Sequence, residues 1–140
     1  MSNEYVVEAV HRQGMQFDCT VGVHSVTMDY PLKPEETGAG PRPLEMLLAS
    51  PASCAGGTLA VLLRQAGQAL DGLSVWACGC RRGEHPTLFT EIALEFVVRR
   101  SVDPSVVKRA LELAEERICP VWAMLRPGAV ITASSRVEPR

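Results

Sequence analysis

Several features that would announce a function are missing from this 140-residue sequence. Its 14 Lys and Arg stand against 16 Asp and Glu, a net charge of −2. There is thus no basic surplus to hold nucleic acid and no polybasic membrane anchor. No stretch reaches the roughly 18 uninterrupted apolar residues of a membrane-spanning segment. The opening MSNEYVVEAV places no cationic segment ahead of an apolar run, so no signal peptide is expected. Phosphate loop, dinucleotide fingerprint and nucleophile elbow are all absent, as are internal repeats and low-complexity tracts. These absences point to a cytoplasmic globular protein, one domain over residues 1–140, with neither nucleic acid nor membrane as partner and no cofactor called for.

What is present is organised around Pro41 to Gly67, the longest apolar segment. Ahead of it, Tyr5 to Val10, Met15 to Val21 and Val23 to Tyr30 read as short strands separated at Gly14 and Gly22, an antiparallel meander. Pro31, Pro34, Gly38, Gly40, Pro41 and Pro43 then crowd the chain, which no helix interior or central strand accommodates, so residues 31–42 are a loop. A long helix follows from Pro43, which suits a first turn, with Glu45 near the positive end of the dipole. Its apolar residues run almost all round, so it is expected to be buried on most sides. Ser50-Pro51 resembles a fresh helix start, so the segment is expected to consist of two helical pieces meeting there.

Leu73 to Cys80 and Leu88 to Arg99 read as strands joined by RRGEHP. In the second, Ile92, Leu94, Phe96 and Val98 keep the period of two that marks a half-buried strand. Asp103-Pro104 supplies an N-cap and first helical residue for a second helix, whose stripe is Val106, Val107, Ala110, Leu111, Ala114 and Ile118. Pro120 ends or kinks it at Cys119. Ala129 to Val137 forms a last strand. Strands, a buried helix, two strands, a helix and a strand make an α+β domain.

The chain carries five cysteines, an odd number and no obvious disulfide framework. Cys54 lies one turn past Pro51, where a bent helix would leave backbone N–H groups to favour a thiolate; as a small hydrophobe it is equally at home in a core. Cys119 sits before Pro120 at an element boundary. Cys78 and Cys80, in CGC on a strand, face one side; with His85 they make an incomplete tetrahedral set, so no metal site is assigned. Cys19, His11 and His24 are read as structural.

Three motifs, in order and spacing, add a different kind of information. GPRPLEMLLASPASC resembles the P-x-E-x-L-x-A-A-x-A-S-C helix of the OsmC/Ohr family of thiol peroxidases, HPTLFTEIALEF its H-P-x-x-F-T-x-I strand, and ICPVWAML its C-P-V motif. The resemblance is to the OsmC-like branch and spans most of the chain. It implies the OsmC-like fold, with N-terminal antiparallel strands and a long buried central helix, as an intertwined homodimer. It implies a peroxidase in which Cys54 attacks an organic hydroperoxide or hydrogen peroxide, Cys119 resolves the sulfenic acid, and an external dithiol reopens the disulfide. Met46, Leu47, Phe89 and Trp122 would wall the substrate pocket. In the organic hydroperoxide branch a glutamate holding an arginine against the sulfur stands where this chain has Leu44. The acid here is the next residue, Glu45, about 100° further round the helix, and the nearest arginines are Arg12 and Arg42. The alternative implied by these departures is a divergent module of the same fold that senses redox state or binds small molecules.

Overall fold

The computed structural model describes residues 3–68, 70–99 and 102–138. The chain divides into two compact units, residues 1–47 and 48–140.

In the first unit, β1 (Val7–Gln13), β2 (Gln16–Val21) and β3 (His24–Met28) form a three-stranded antiparallel sheet in that order. Gly14 and Gly22 occupy its two turns with φ of 50° and 62°, a left-handed conformation that glycine adopts without strain. Arg12 Nε donates to Asp18 Oδ2 at 2.6 Å and Thr27 Oγ1 to Asp18 Oδ1 at 2.9 Å, tying the three strands together across one face. The proline- and glycine-rich loop is anchored rather than loose. Asp29 N–H donates to the Pro41 carbonyl, and Ala39 N–H to the Asp29 carboxylate, each at 3.0 Å. Gly40 lies against the Thr27 carbonyl with no room for a side chain.

Helix α1 (Pro43–Gln65) begins in the first unit and continues into the second. It starts at Pro43 as the sequence indicates, and the Arg42 N–H donates to Glu45 Oε1 at 2.8 Å, satisfying a donor ahead of the first turn. The expected joint at Ser50-Pro51 does not form: the helix runs through Pro51 unbroken. Proline removes one N–H donor, but the turns on either side keep theirs, and the ring is fully buried where packing holds it. Ser50 is therefore a helical residue rather than a cap, its carbonyl accepting from Ser53 Oγ at 3.5 Å.

In the second unit, β4 (Gly72–Arg81) and β5 (Phe89–Arg99) pair antiparallel, and β6 (Val130–Glu138) adds to β5 in parallel. Antiparallel neighbours need only the short 82–88 connection, closed by Arg82 N–H to the Leu88 carbonyl at 3.1 Å. A parallel neighbour needs a long crossover, and the helical segments between β5 and β6 supply it. These are α2 (Pro104–Leu113), a π-helical turn (Ala114–Ile118) and α3 (Pro120–Leu125). Asp103 caps α2 as expected, accepting from Ser105 N–H at 2.9 Å.

The core forms on one face of this sheet. Ile92, Leu94, Phe96 and Val98 of β5 are buried against Ala55, Leu59 and Leu63 of α1, Val107, Ala110 and Leu111 of α2, and Trp122 of α3. Alternation along β5 sends Glu91, Ala93 and Glu95 to the other, exposed face. Helix and sheet come close at Gly56, where a Cβ would sit 2.9 Å from Val75 Cγ2. By length and composition alone α1 is apolar enough to cross a membrane, yet Ala55, Leu59 and Leu63 are wholly shielded inside the protein core. Within one chain the helix buries a single face: Leu47 and Val61 are exposed, and so are Ser50, Ser53 and Gly57.

Candidate active site

Two cysteines separated by 65 positions meet in the second unit, with the Cys119 thiol donating to Cys54 Sγ at 3.3 Å. Neither is bonded to the other; all five cysteines are free thiols.

The two sulfurs reach each other by different routes. Cys54 rides on α1, half-buried, one position before the shielded Ala55, and packs against the core cluster. Thr58 Oγ1 donates to the Cys54 carbonyl at 2.8 Å. Cys119 is the residue at which the helical run changes direction. Its N–H donates to the Ala114 carbonyl at 2.9 Å, closing the π-helical turn, and its own carbonyl accepts from Ala123 N–H at 3.2 Å, opening α3. Between those bonds it is extended, with φ −73° and ψ 108°. Pro120 dictates this: the residue before a proline is pushed out of the helical region, and the proline itself is well suited to a first helical turn. The wider π turn places the thiol of Cys119 inward, 2% exposed.

This geometry separates the two thiols chemically. Burial pushes the Cys119 thiol above the ordinary cysteine range, and the Cys54 sulfur pushes it the same way; the backbone N–H groups of Trp122 and Val121 pull against both. Cys119 therefore holds its proton and serves as the donor, and Cys54 Sγ is the acceptor. A disulfide needs the sulfurs about 2.05 Å apart, so roughly 1.3 Å of closure would join them.

Trp122, only 1% exposed, belongs to the same apolar cluster as Cys119, and Phe89 packs against that cluster. The Trp122 indole N–H has no hydrogen-bond partner among the described residues although it is buried. Phe89 packs on the strand at Gly79, where a Cβ would meet the ring at 2.6 Å. The remaining residues singled out from the sequence, Glu45, Met46 and Leu47, belong to the first unit. There the Glu45 carboxylate is engaged by the Arg42 N–H. The two arginines are engaged there as well. Arg12 pairs with Asp18, whose carboxyl it holds below the usual range with help from Thr27, and the Arg42 guanidinium lies 5.0 Å from the Tyr30 ring centroid.

Cys78 and Cys80 stand apart from this site. They project from β4 on the exposed face, opposite Ala93 and Glu91, while the core cluster occupies the other face. Among the described residues no group of three or more His, Cys, Asp or Glu is placed to hold a metal ion. What the sequence did not reveal is the π-helical turn and the pair of backbone N–H groups that follow Cys119; Pro120 was the only local signal.

The OsmC-like protein family model matches residues 36–134. Protein YhfA of Escherichia coli K12 is 35% identical over 98 residues, 69% of this chain and 73% of that protein. A hypothetical protein from Aquifex aeolicus superposes with a TM-score of 0.88 at 25% identity, over 99% of both chains. An organic hydroperoxide resistance protein OsmC from Legionella pneumophila, described as a predicted redox protein, has the same fold with a TM-score of 0.75 at 15% identity, over 96% of this chain and 97% of its own. The three motifs, the paired sulfurs and the match across more than two thirds of the sequence lead to one assignment: the chain belongs to the OsmC-like protein family.

Proposed function

We propose that this protein is a cysteine-based peroxidase that reduces organic hydroperoxides or hydrogen peroxide. The observation that carries this reading is the 3.3 Å contact in which Cys119 donates to Cys54. The Cys54 thiolate attacks the terminal peroxide oxygen, the O–O bond breaks, and the alcohol or water leaves after taking up a proton. Cys54 is left as a sulfenic acid. The Cys119 thiol condenses with it, the S–O bond breaks, water departs and the Cys54–Cys119 disulfide forms. An external dithiol then exchanges with that disulfide and restores both thiols. Apolar walls suit an organic hydroperoxide, and Phe89 and Trp122 are the walls we assign. A reducing cytoplasm would keep the five free thiols in this state.

The reading extends to a homodimer. Ser50, Ser53, Gly57 and Val61 recur at helical spacing on the exposed side of α1, and Gly57 has open space where a Cβ would stand. A stripe of small side chains lets a second copy of the helix approach closely.

The test is titration with cumene hydroperoxide. The protein should lose two thiols per chain, and a peptide map should link Cys54 to Cys119. Cys54→Ser should lose the reaction; turnover of peroxide at the wild-type rate by that variant would overturn the proposal.

A further inference from the structure

The geometry points to a fixed polarity in the reductive half of the cycle: the incoming thiolate attacks Cys54 Sγ, and Cys119 is always the leaving group. This rests on the peroxidase reading for its physiological meaning, although the polarity itself belongs to the disulfide however that bond is made.

Thiol–disulfide exchange requires the attacking sulfur to approach along the S–S axis, from the side opposite the sulfur that departs. At Cys119 that approach is closed. The residue is 2% exposed and belongs to the buried core cluster with Trp122 and the buried side chains of α1 and β5. Cys54, in contrast, is only half-buried on α1. A reductant can therefore reach only the Cys54 end of the bond.

The N–H groups of Val121 and Trp122, the second and third residues after the thiol, offset part of the cost that burial places on the Cys119 thiolate, although the thiol still titrates above its ordinary range. The step balances as Cys54–S–S–Cys119 plus R–S⁻ giving Cys54–S–S–R plus Cys119–S⁻. The buried Cys119 thiolate then takes up a proton, the state that burial favours, and a second thiol of the reductant frees Cys54. Direction matters for function. Attack at Cys54 leaves the reductant bound on the accessible sulfur, where a dithiol can finish the exchange within one encounter. Cys119 meanwhile returns to the protonated, buried state in which it serves as resolving thiol.

The experiment uses the full-length protein oxidised with diamide, which makes the disulfide without any peroxide. Glutathione is added, the reaction is quenched with acid within milliseconds to seconds, free thiols are alkylated, and the peptides are mapped. Glutathione on Cys54 with alkylated Cys119 is the expected intermediate, and predominance of the reverse pattern would overturn the polarity. A second arm places thionitrobenzoate on Cys54 in Cys119→Ser and on Cys119 in Cys54→Ser. Glutathione should release it at least tenfold faster from Cys54; equal rates would sink the idea. Failure of diamide to link Cys54 to Cys119 would overturn it too. A disulfide formed by diamide but not by cumene hydroperoxide would instead remove the peroxidase reading and leave the polarity standing.

Discussion

Cys54 and Cys119 differ in a way that composition hides: one is presented on a helix surface and the other is enclosed. The consequence at the residue scale is a pH dependence with a definite sign. The Cys119 thiol titrates above its ordinary range when folded, chiefly because it is buried. The native state therefore retains a proton that the unfolded chain releases, and stability falls as pH rises through and beyond the ordinary thiol range. The stabilisation is fully present below that range. Thermal unfolding between pH 7 and pH 10 should show a declining Tm, with a shallower decline in Cys119→Ala; parallel slopes in the two proteins would remove the assignment. At the same scale, Cys119→Ser should let hydroperoxide oxidise Cys54 to a sulfenic acid that dimedone traps, with one thiol lost per chain rather than two. No dimedone adduct on Cys54 would count against its role as the attacking sulfur.

Elements decide where these residues stand. α1 tolerates Pro51 because a proline deletes one hydrogen bond, while the surrounding turns and a buried ring hold the axis together. The proline suggested a joint from local propensity, but the neighbouring turns and the packing of the ring prevailed. α2 is secured by the Asp103 cap, whose carboxyl is held below the usual range by the Ser105 N–H and hydroxyl. Asp103→Ala should destabilise the fold by removing this cap, read as a lower urea midpoint with an unchanged slope. β4 depends on Gly79, since a methyl group there meets the Phe89 ring. Gly79→Ala should displace the ring and destabilise by about 1–3 kcal/mol, the range for overpacking. The π-helical turn is the element that Pro120 did not disclose. It arises because the helical run must both close on Ala114 and release Cys119 into an extended conformation.

For the molecule as a whole, the apolar surface left open on α1 is the prominent feature. Val61 is 55% exposed and Leu47 39%, on a helix whose sequence is apolar nearly all round. The proposed homodimer accounts for this: the sheet of its own chain covers one side and a second copy covers the other. Analytical ultracentrifugation of the wild-type protein should give twice the 15.2 kDa chain mass, and Val61→Asp, which would bury a charge in the contact, should give the single-chain mass. A wild-type monomer would dispose of the dimer.

Much of this protein is determined by its sequence alone, because the controlling forces are local. Period-two alternation fixes β5, glycines set the turns at Gly14 and Gly22, and Asp103-Pro104 sets the start of α2. The three motifs carry the family. Other features were decided only by the tertiary structure, because they depend on residues far apart in the chain. The parallel pairing of β6 with β5 requires the whole crossover to pack. The continuity of α1 through Pro51 requires the core that buries its ring. Cys54 and Cys119 were candidates separated by 65 positions, each as plausible as a core residue. Their contact, and the burial that keeps the proton on Cys119, exist only once α1, the π-helical turn and the sheet enclose the same volume.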